Sequence, residues 1–227
     1  MENIDLKKII EVYKENFSTI QNDFMRHQNE CLIQLYKSFN GDLESANIFL
    51  YFFKQTQKKI FRRRESKMGS DISLEKMCEN IKELKRERIK VIEISKETGL
   101  AKETVRRKIK KLIKLKILIK DGDLIFWDPE KDFAILKEKI NKFLKSFLKL
   151  VLTIKMYLKL FVDKNELEKE LLNDFSFYSY HYLDVQLKFL RIWQKKFKDL
   201  DVILLFHLCA IEANSKYCKS KISYENH

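Results

Sequence analysis

Four glycines and a single proline in 227 residues leave this chain few ways to turn tightly. An all-β sandwich or barrel needs many such turns, so the scarcity points to a mostly helical fold. It also removes Rossmann and P-loop enzymes, because neither can be built without a Gly-rich phosphate cradle and the chain has none. The glycines fall at breaks in the apolar pattern: Gly41 in "NGD", Gly69 in "ESKMGSD", Gly99 in "ETGLA" and Gly122 in "KDGDL".

Between these breaks the apolar residues recur at helical spacing. Residues 4–39 read as one helix carrying Ile9, Ile10, Tyr13, Phe17, Phe24, Leu32, Leu35, Tyr36 and Phe39. A second long helix runs from "DLESANIFL", with Asp42 or Ser45 as its cap, to the basic end Arg62–Arg64, which suits the negative end of a helix dipole. Residues 65–71 are the linker candidate, and a shorter helix is expected from about Leu74 to Arg88. Asp121-Gly122 between "ILI" and "LIFW" predicts a β-hairpin closed by Pro129. From Lys131 a basic amphipathic helix continues to about Phe161, breaks at "VDKN", and two further helices follow to about Cys218. The segment from Phe17 can be laid over the one from Phe175, matching Ser18/Ser176, Gln28/Gln186, Leu32/Leu190, Lys37/Lys195 and Phe39/Phe197 without a gap, which raises an internal repeat as an open alternative to chance patterning. The expected organisation is an N-terminal helical hairpin over 1–64, a middle domain over 72–129 and a C-terminal helical region over 131–227.

The formal net charge of +13 favours an acidic partner. A Lys-rich composition inflates that number everywhere, so its distribution is more telling. Residues 80–120 hold 15 Lys/Arg against 5 Asp/Glu, whereas residues 161–227 hold 10 of each and residues 1–53 hold 5 against 8.

The peak coincides with "EISKETGLAKETVRRKIKKL", residues 93–112. Ser95 is small, Gly99 follows four later and accepts positive φ, and Val105 lies six beyond. Val105, Ile109, Leu112 and Ile113 then form one apolar stripe, with Lys102, Glu103, Arg106, Arg107, Lys110, Lys111 and Lys114 on the opposite face. That spacing predicts a supporting helix, a glycine turn and a second helix over 101–116, with the hairpin Ile119–Leu124 following as a wing. Residues 91–128 resemble the winged helix-turn-helix domain of bacterial transcriptional regulators, of the MarR-like and less characterised proteobacterial kind. The likeness rests on Thr98-Gly99-Leu100, then Thr104-Val105-Arg106-Arg107 ahead of the Ile/Leu stripe. It implies a mostly α chain in which a winged helix-turn-helix with a small β-hairpin is flanked by long helices forming a body. It also implies sequence-specific binding of double-stranded DNA as a homodimer, with an unidentified small-molecule effector. Two departures stand out: Ala101 replaces the usual Ser or Thr cap, and the wing tip Asp121-Gly122-Asp123 is acidic.

Arg106 and Arg107 are expected at bases or phosphates, since the guanidinium fork matches both. Lys102, Thr104, Lys110, Lys111 and Lys120 are expected at phosphates. Glu103 either accepts from a cytosine amine or pairs with Arg107 at i+4, the second being preferred. The alternative function is a replication- or partition-type adaptor that uses the same fold on nucleic acid or protein without sequence choice.

Other features point to less. Lys145, Lys149, Lys155 and Lys159 interrupt the apolar run from Phe143 to Phe161, so a membrane span is not expected, and a buried or dimer-forming helix is preferred over a membrane-surface one. The aromatic run Phe175–Leu183 reads as core in preference to an effector pocket or a base-stacking surface. Cys31, Cys78, Cys209 and Cys218 lack metal-ligand spacing, and the four histidines stand in no catalytic pattern. The sequence reading is therefore a cytoplasmic, non-enzymatic protein without metal or cofactor.

Overall fold

The computed structural model describes residues 6–66, 71–85, 88–127, 133–159 and 163–225. Among them the apolar periods form ten helices, and the Asp-Gly stretch forms an antiparallel two-stranded hairpin. In chain order these are α1 (Leu6–Glu15), α2 (Phe17–Ser38), α3 (Leu43–Ser66), α4 (Met77–Lys82), α5 (Val91–Thr98), α6 (Lys102–Lys114), β1 (Leu118–Asp121), β2 (Leu124–Trp127), α7 (Phe133–Tyr157), α8 (Lys164–Asn173), α9 (Phe175–Phe197) and α10 (Asp201–Glu225).

α3 is the central element. Twelve of its residues are buried, among them Ile48, Phe52 and Ile60, because it packs on α2, α5, α6, α9 and β2 at once. Buried polar side chains of such a helix bond across to the elements around it. Asn47 donates to the Thr98 carbonyl at 3.2 Å. The buried Lys54 ammonium lies 2.6 Å from Asp184 and 3.3 Å from Glu97, joining α3 to α9 and α5. The edges of Phe49 and Phe53 meet Trp127 at centroid distances of 5.6 and 5.0 Å, so the base of the hairpin sits on the same helix. One contiguous core therefore runs through residues of all three expected segments, from Leu32 to Trp127 to Ile203.

Several boundaries differ from the sequence expectation. The first helix breaks at Asn16, where the backbone turns to φ −112°, ψ 25° while the apolar period carries straight on. Of the expected helix from Leu74 to Arg88, the described residues are helical over Met77–Lys82, and its start is late because Ile72 and Leu74 are drawn off to strap α8 and α9. The Leu74 N–H donates to the Leu172 carbonyl at 3.0 Å, and the Ser176 N–H to that of Ile72 at 3.1 Å. Three helices, not two, follow "VDKN", and the last continues to Glu225. α8 begins where Asp163 caps it, accepting from the backbone of Asn165 and Glu166. Most of the linker candidate, residues 67–70, and the Pro129 stop lie outside the described residues.

The outer helices repeat a plan. The end of α1 at residue 15 and the starts of α2 and α3 at residues 17 and 43 recur in the end of α8 at residue 173 and the starts of α9 and α10 at residues 175 and 201, a constant offset of 158. The breaks recur with them. Asp174 adopts φ −104°, ψ 32°, close to Asn16, and the positive φ of Asn40 (52°) recurs at Lys198 (59°). α3 packs on α9 and α2 packs on α10, the reciprocal pairing that a two-fold axis between the two triplets produces.

Candidate nucleic-acid interface

The basic stretch folds as α5, a glycine turn and α6. Gly99 ends α5 at φ 77° and its N–H returns to the Ser95 carbonyl at 3.0 Å. A side chain at this position is strained by the left-handed backbone, and its Cβ would sit 3.2 Å from Arg191 Cγ of α9. Ser95 does more than keep the helices close. Its hydroxyl crosses the turn to donate to the Leu100 carbonyl at 2.6 Å. The Thr98 hydroxyl closes the other side by donating to the Ile94 carbonyl at 2.7 Å. The turn is thus fixed by local bonds and held from outside by α3 and α9.

α6 is anchored by its apolar stripe: Val105, Ile109 and Leu112 are buried and Ile113 is half-buried. Lys102, Glu103, Arg106, Arg107, Lys110 and Lys114 are exposed on the other side, and Thr104 is half-buried. No side chain caps the helix at Ala101, so its first-turn N–H groups add partial positive charge at that end.

Two of the expected roles change. Lys111, placed by sequence on the phosphate-contacting face, has its ammonium 2.5 Å from Asp42, because the first turn of α3 lies against that flank of α6. Glu103 pairs with Arg106 at i+3, 3.1 Å away, and not with Arg107 at i+4. Both spacings bring side chains together on a helix, and the i+3 partner is the one engaged. Arg107, Lys102 and Lys110 have no ion-pair partner among the described residues.

Lys108 was not singled out by the sequence, and it proves structural. Its ammonium, mostly buried, lies 2.7 Å from Asp42 and 3.1 Å from Glu44. Asp42 also caps α3, accepting from the Ser45 N–H at 3.0 Å and the Ser45 hydroxyl at 2.8 Å. Burial alone would raise its carboxyl, but the bonds from Lys108, Lys111 and Ser45 outweigh it and hold it well below the usual carboxylate range. One carboxylate thus fixes the start of α3 and the angle of α6.

The hairpin follows α6 through Lys116, which takes a positive φ of 58°. Leu118 pairs with Trp127 and Asp121 with Leu124, leaving Gly122 and Asp123 as the two-residue turn. Gly122 alone has positive φ there, as the first central position of a type II′ turn requires. Lys120 is exposed on β1, while the tip presents Asp121 and Asp123, the latter 3.9 Å from Arg88. The tip is therefore nearly balanced in charge, in contrast to α6. Among the described residues no group of His, Cys, Asp and Glu is arranged to hold a metal ion, and no helix is long and apolar enough to cross a membrane. Comparison with known protein families, curated proteins and solved structures gives no match for this chain.

Proposed function

We propose that the protein is a DNA-binding transcriptional regulator, with α5, the Gly99 turn, α6 and the β1–β2 hairpin acting as a winged helix-turn-helix and α6 entering the major groove. The observation that carries this reading is the two-sidedness of α6. Its buried stripe fixes it to the core, while Lys102, Arg106, Arg107 and Lys110 stand exposed in a row with one ionic partner between them. A rigid helix with an uncompensated cationic face suits phosphates and guanine edges. Arg106 and Arg107 read bases or clamp phosphates, and Lys102, Lys110 and the half-buried Thr104 hold the backbone. Lys111 contributes less, being engaged by Asp42, and the wing contributes through Lys120 alone.

A homodimer suits the same reading, since paired helices reach successive major grooves about one turn apart. α1 offers a surface for it. Leu6, Ile10 and Tyr13 lie exposed along one side, with Phe17 exposed just past the break, whereas Leu171 and Phe175, at the positions equivalent to Tyr13 and Phe17, are buried.

The test is a gel-shift titration with DNA from the protein's own promoter. Replacing both arginines (Arg106→Ala, Arg107→Ala) is expected to weaken binding by at least about tenfold and to flatten its salt dependence. Binding that keeps its affinity and salt slope in this variant removes α6 as the reading helix.

A further inference from the structure

A cavity of about 390 Å³ lies between α2, α3, α7, α9 and the foot of the hairpin. It is within the size range of small-molecule sites, roughly 300–1,000 Å³. Most of its wall is apolar: Leu35, Phe49, Phe53, Trp127, Ile140 and Leu183 among others. A void lined in this way forfeits dispersion contacts unless something fills it.

Two features of the wall are chemical. On the inner side stands a polar patch of Cys31, Tyr182 and Gln186. Gln186 is 2% exposed and its carbonyl oxygen faces the Tyr182 hydroxyl at 3.2 Å, so this patch is turned in on itself. Lys116 and Lys139 border the cavity with exposed side chains, and neither has an ion-pair partner among the described residues. The site thus combines an apolar body with two cations at its border.

We propose that this cavity binds an elongated organic anion, a medium-chain aliphatic carboxylate. The carboxylate rests on Lys116 and Lys139, and the chain lies against the aromatic wall. Lys116 and Ile117 directly follow α6, and Trp127 ends the hairpin, so the ligand touches the mounting of the helix assigned above to DNA. A role as effector rests on that assignment, whereas binding itself does not.

The experiment is done on the full chain without DNA. Trp193→Phe leaves Trp127, in the cavity wall, as the one tryptophan reporter. Decanoate and decanol are titrated while its fluorescence is followed. Decanoate is expected to saturate. Lys116→Gln with Lys139→Gln should weaken decanoate about tenfold and leave decanol unchanged, and Ser179→Phe should fill the cavity and abolish both. No saturable signal with decanoate, or a decanoate affinity unchanged by either replacement, overturns the proposal. A gel shift of the same protein with and without decanoate then reads the effector role, so that loss of DNA binding and loss of ligand binding are scored separately.

Discussion

His27 shows how one buried polar residue can set a pH limit. It is 2% exposed, with Nδ1 2.9 Å from the Ser146 hydroxyl and Nε2 3.2 Å from that of Tyr182. Ser146 donates to Glu30 at 2.5 Å, so its oxygen accepts from Nδ1–H. A second proton would put a charge on a ring that burial has cut off from water. Burial lowers the His27 pKa from 6.5 to about 4, against a smaller opposing pull from Glu30. Between those values the unfolded chain binds a proton that the folded one refuses. Stability is therefore full above about pH 6.5 and declines as the pH falls towards 4, by at most roughly 3 kcal/mol at about 1.4 kcal/mol per pH unit. His207, also lowered by burial, adds to the same slope, while the paired Asp42 carboxylate acts only at lower pH. Urea unfolding at a series of pH values should show this decline, and His27→Gln should flatten it; an unchanged slope in the variant would assign the titration elsewhere.

At the scale of the element, the turn between α5 and α6 makes the sharpest claim. Gly99→Ala keeps the apolar core but places a Cβ on a left-handed backbone beside Arg191. The expected cost is about 1–2 kcal/mol, read as a lower urea midpoint, and Arg191→Ala in the same chain should recover the steric part only. A midpoint unmoved by Gly99→Ala would mean that the turn is free to relax. This turn was legible in the sequence because everything that makes it is local: Ser95, Gly99 and Val105 lie within eleven residues. The hairpin was legible for the same reason. The break at Asn16 was not, since no glycine or proline marks it and the apolar period is continuous across it. Nor was the late start of α4, which follows from the backbone bonds of Ile72 and Leu74 to a segment a hundred residues away. Within the candidate site, the exposed row of α6 follows from periodicity alone. The diversion of Lys108 and Lys111 to Asp42 does not, because their partner is 66 and 69 residues earlier in the chain. The aromatic run Phe175–Leu183, expected as core, does contribute buried side chains, but Phe175, Ser179, Tyr182 and Leu183 also wall the cavity.

For the whole molecule the question is what the outer helices do for the middle. The constant offset of 158 between the two helix triplets, with matching breaks, favours a repeated three-helix unit over chance patterning. Its two copies are not equivalent in what they hold. α3 of the first carries the base of the hairpin, the Lys108 ion pairs and the Thr98 bond, while α9 of the second closes on Gly99. The middle segment is thus clamped between the copies, and its core residues Ile94, Leu112, Leu118 and Trp127 belong to the common cluster. A fragment of residues 72–129 would expose Trp127 where Phe49 and Phe53 now cover it, and would leave Lys108 without either carboxylate. Below about 70–80 residues a single core rarely supplies more than 3–5 kcal/mol even when intact. The isolated fragment is therefore expected to unfold without a cooperative transition and to lack the near-ultraviolet dichroism of an ordered Trp127, while the full chain shows both. A fragment that melts cooperatively on its own would show instead that the flanking helices are an attachment and not a scaffold, and the orientation of α6 would then have to come from the segment itself.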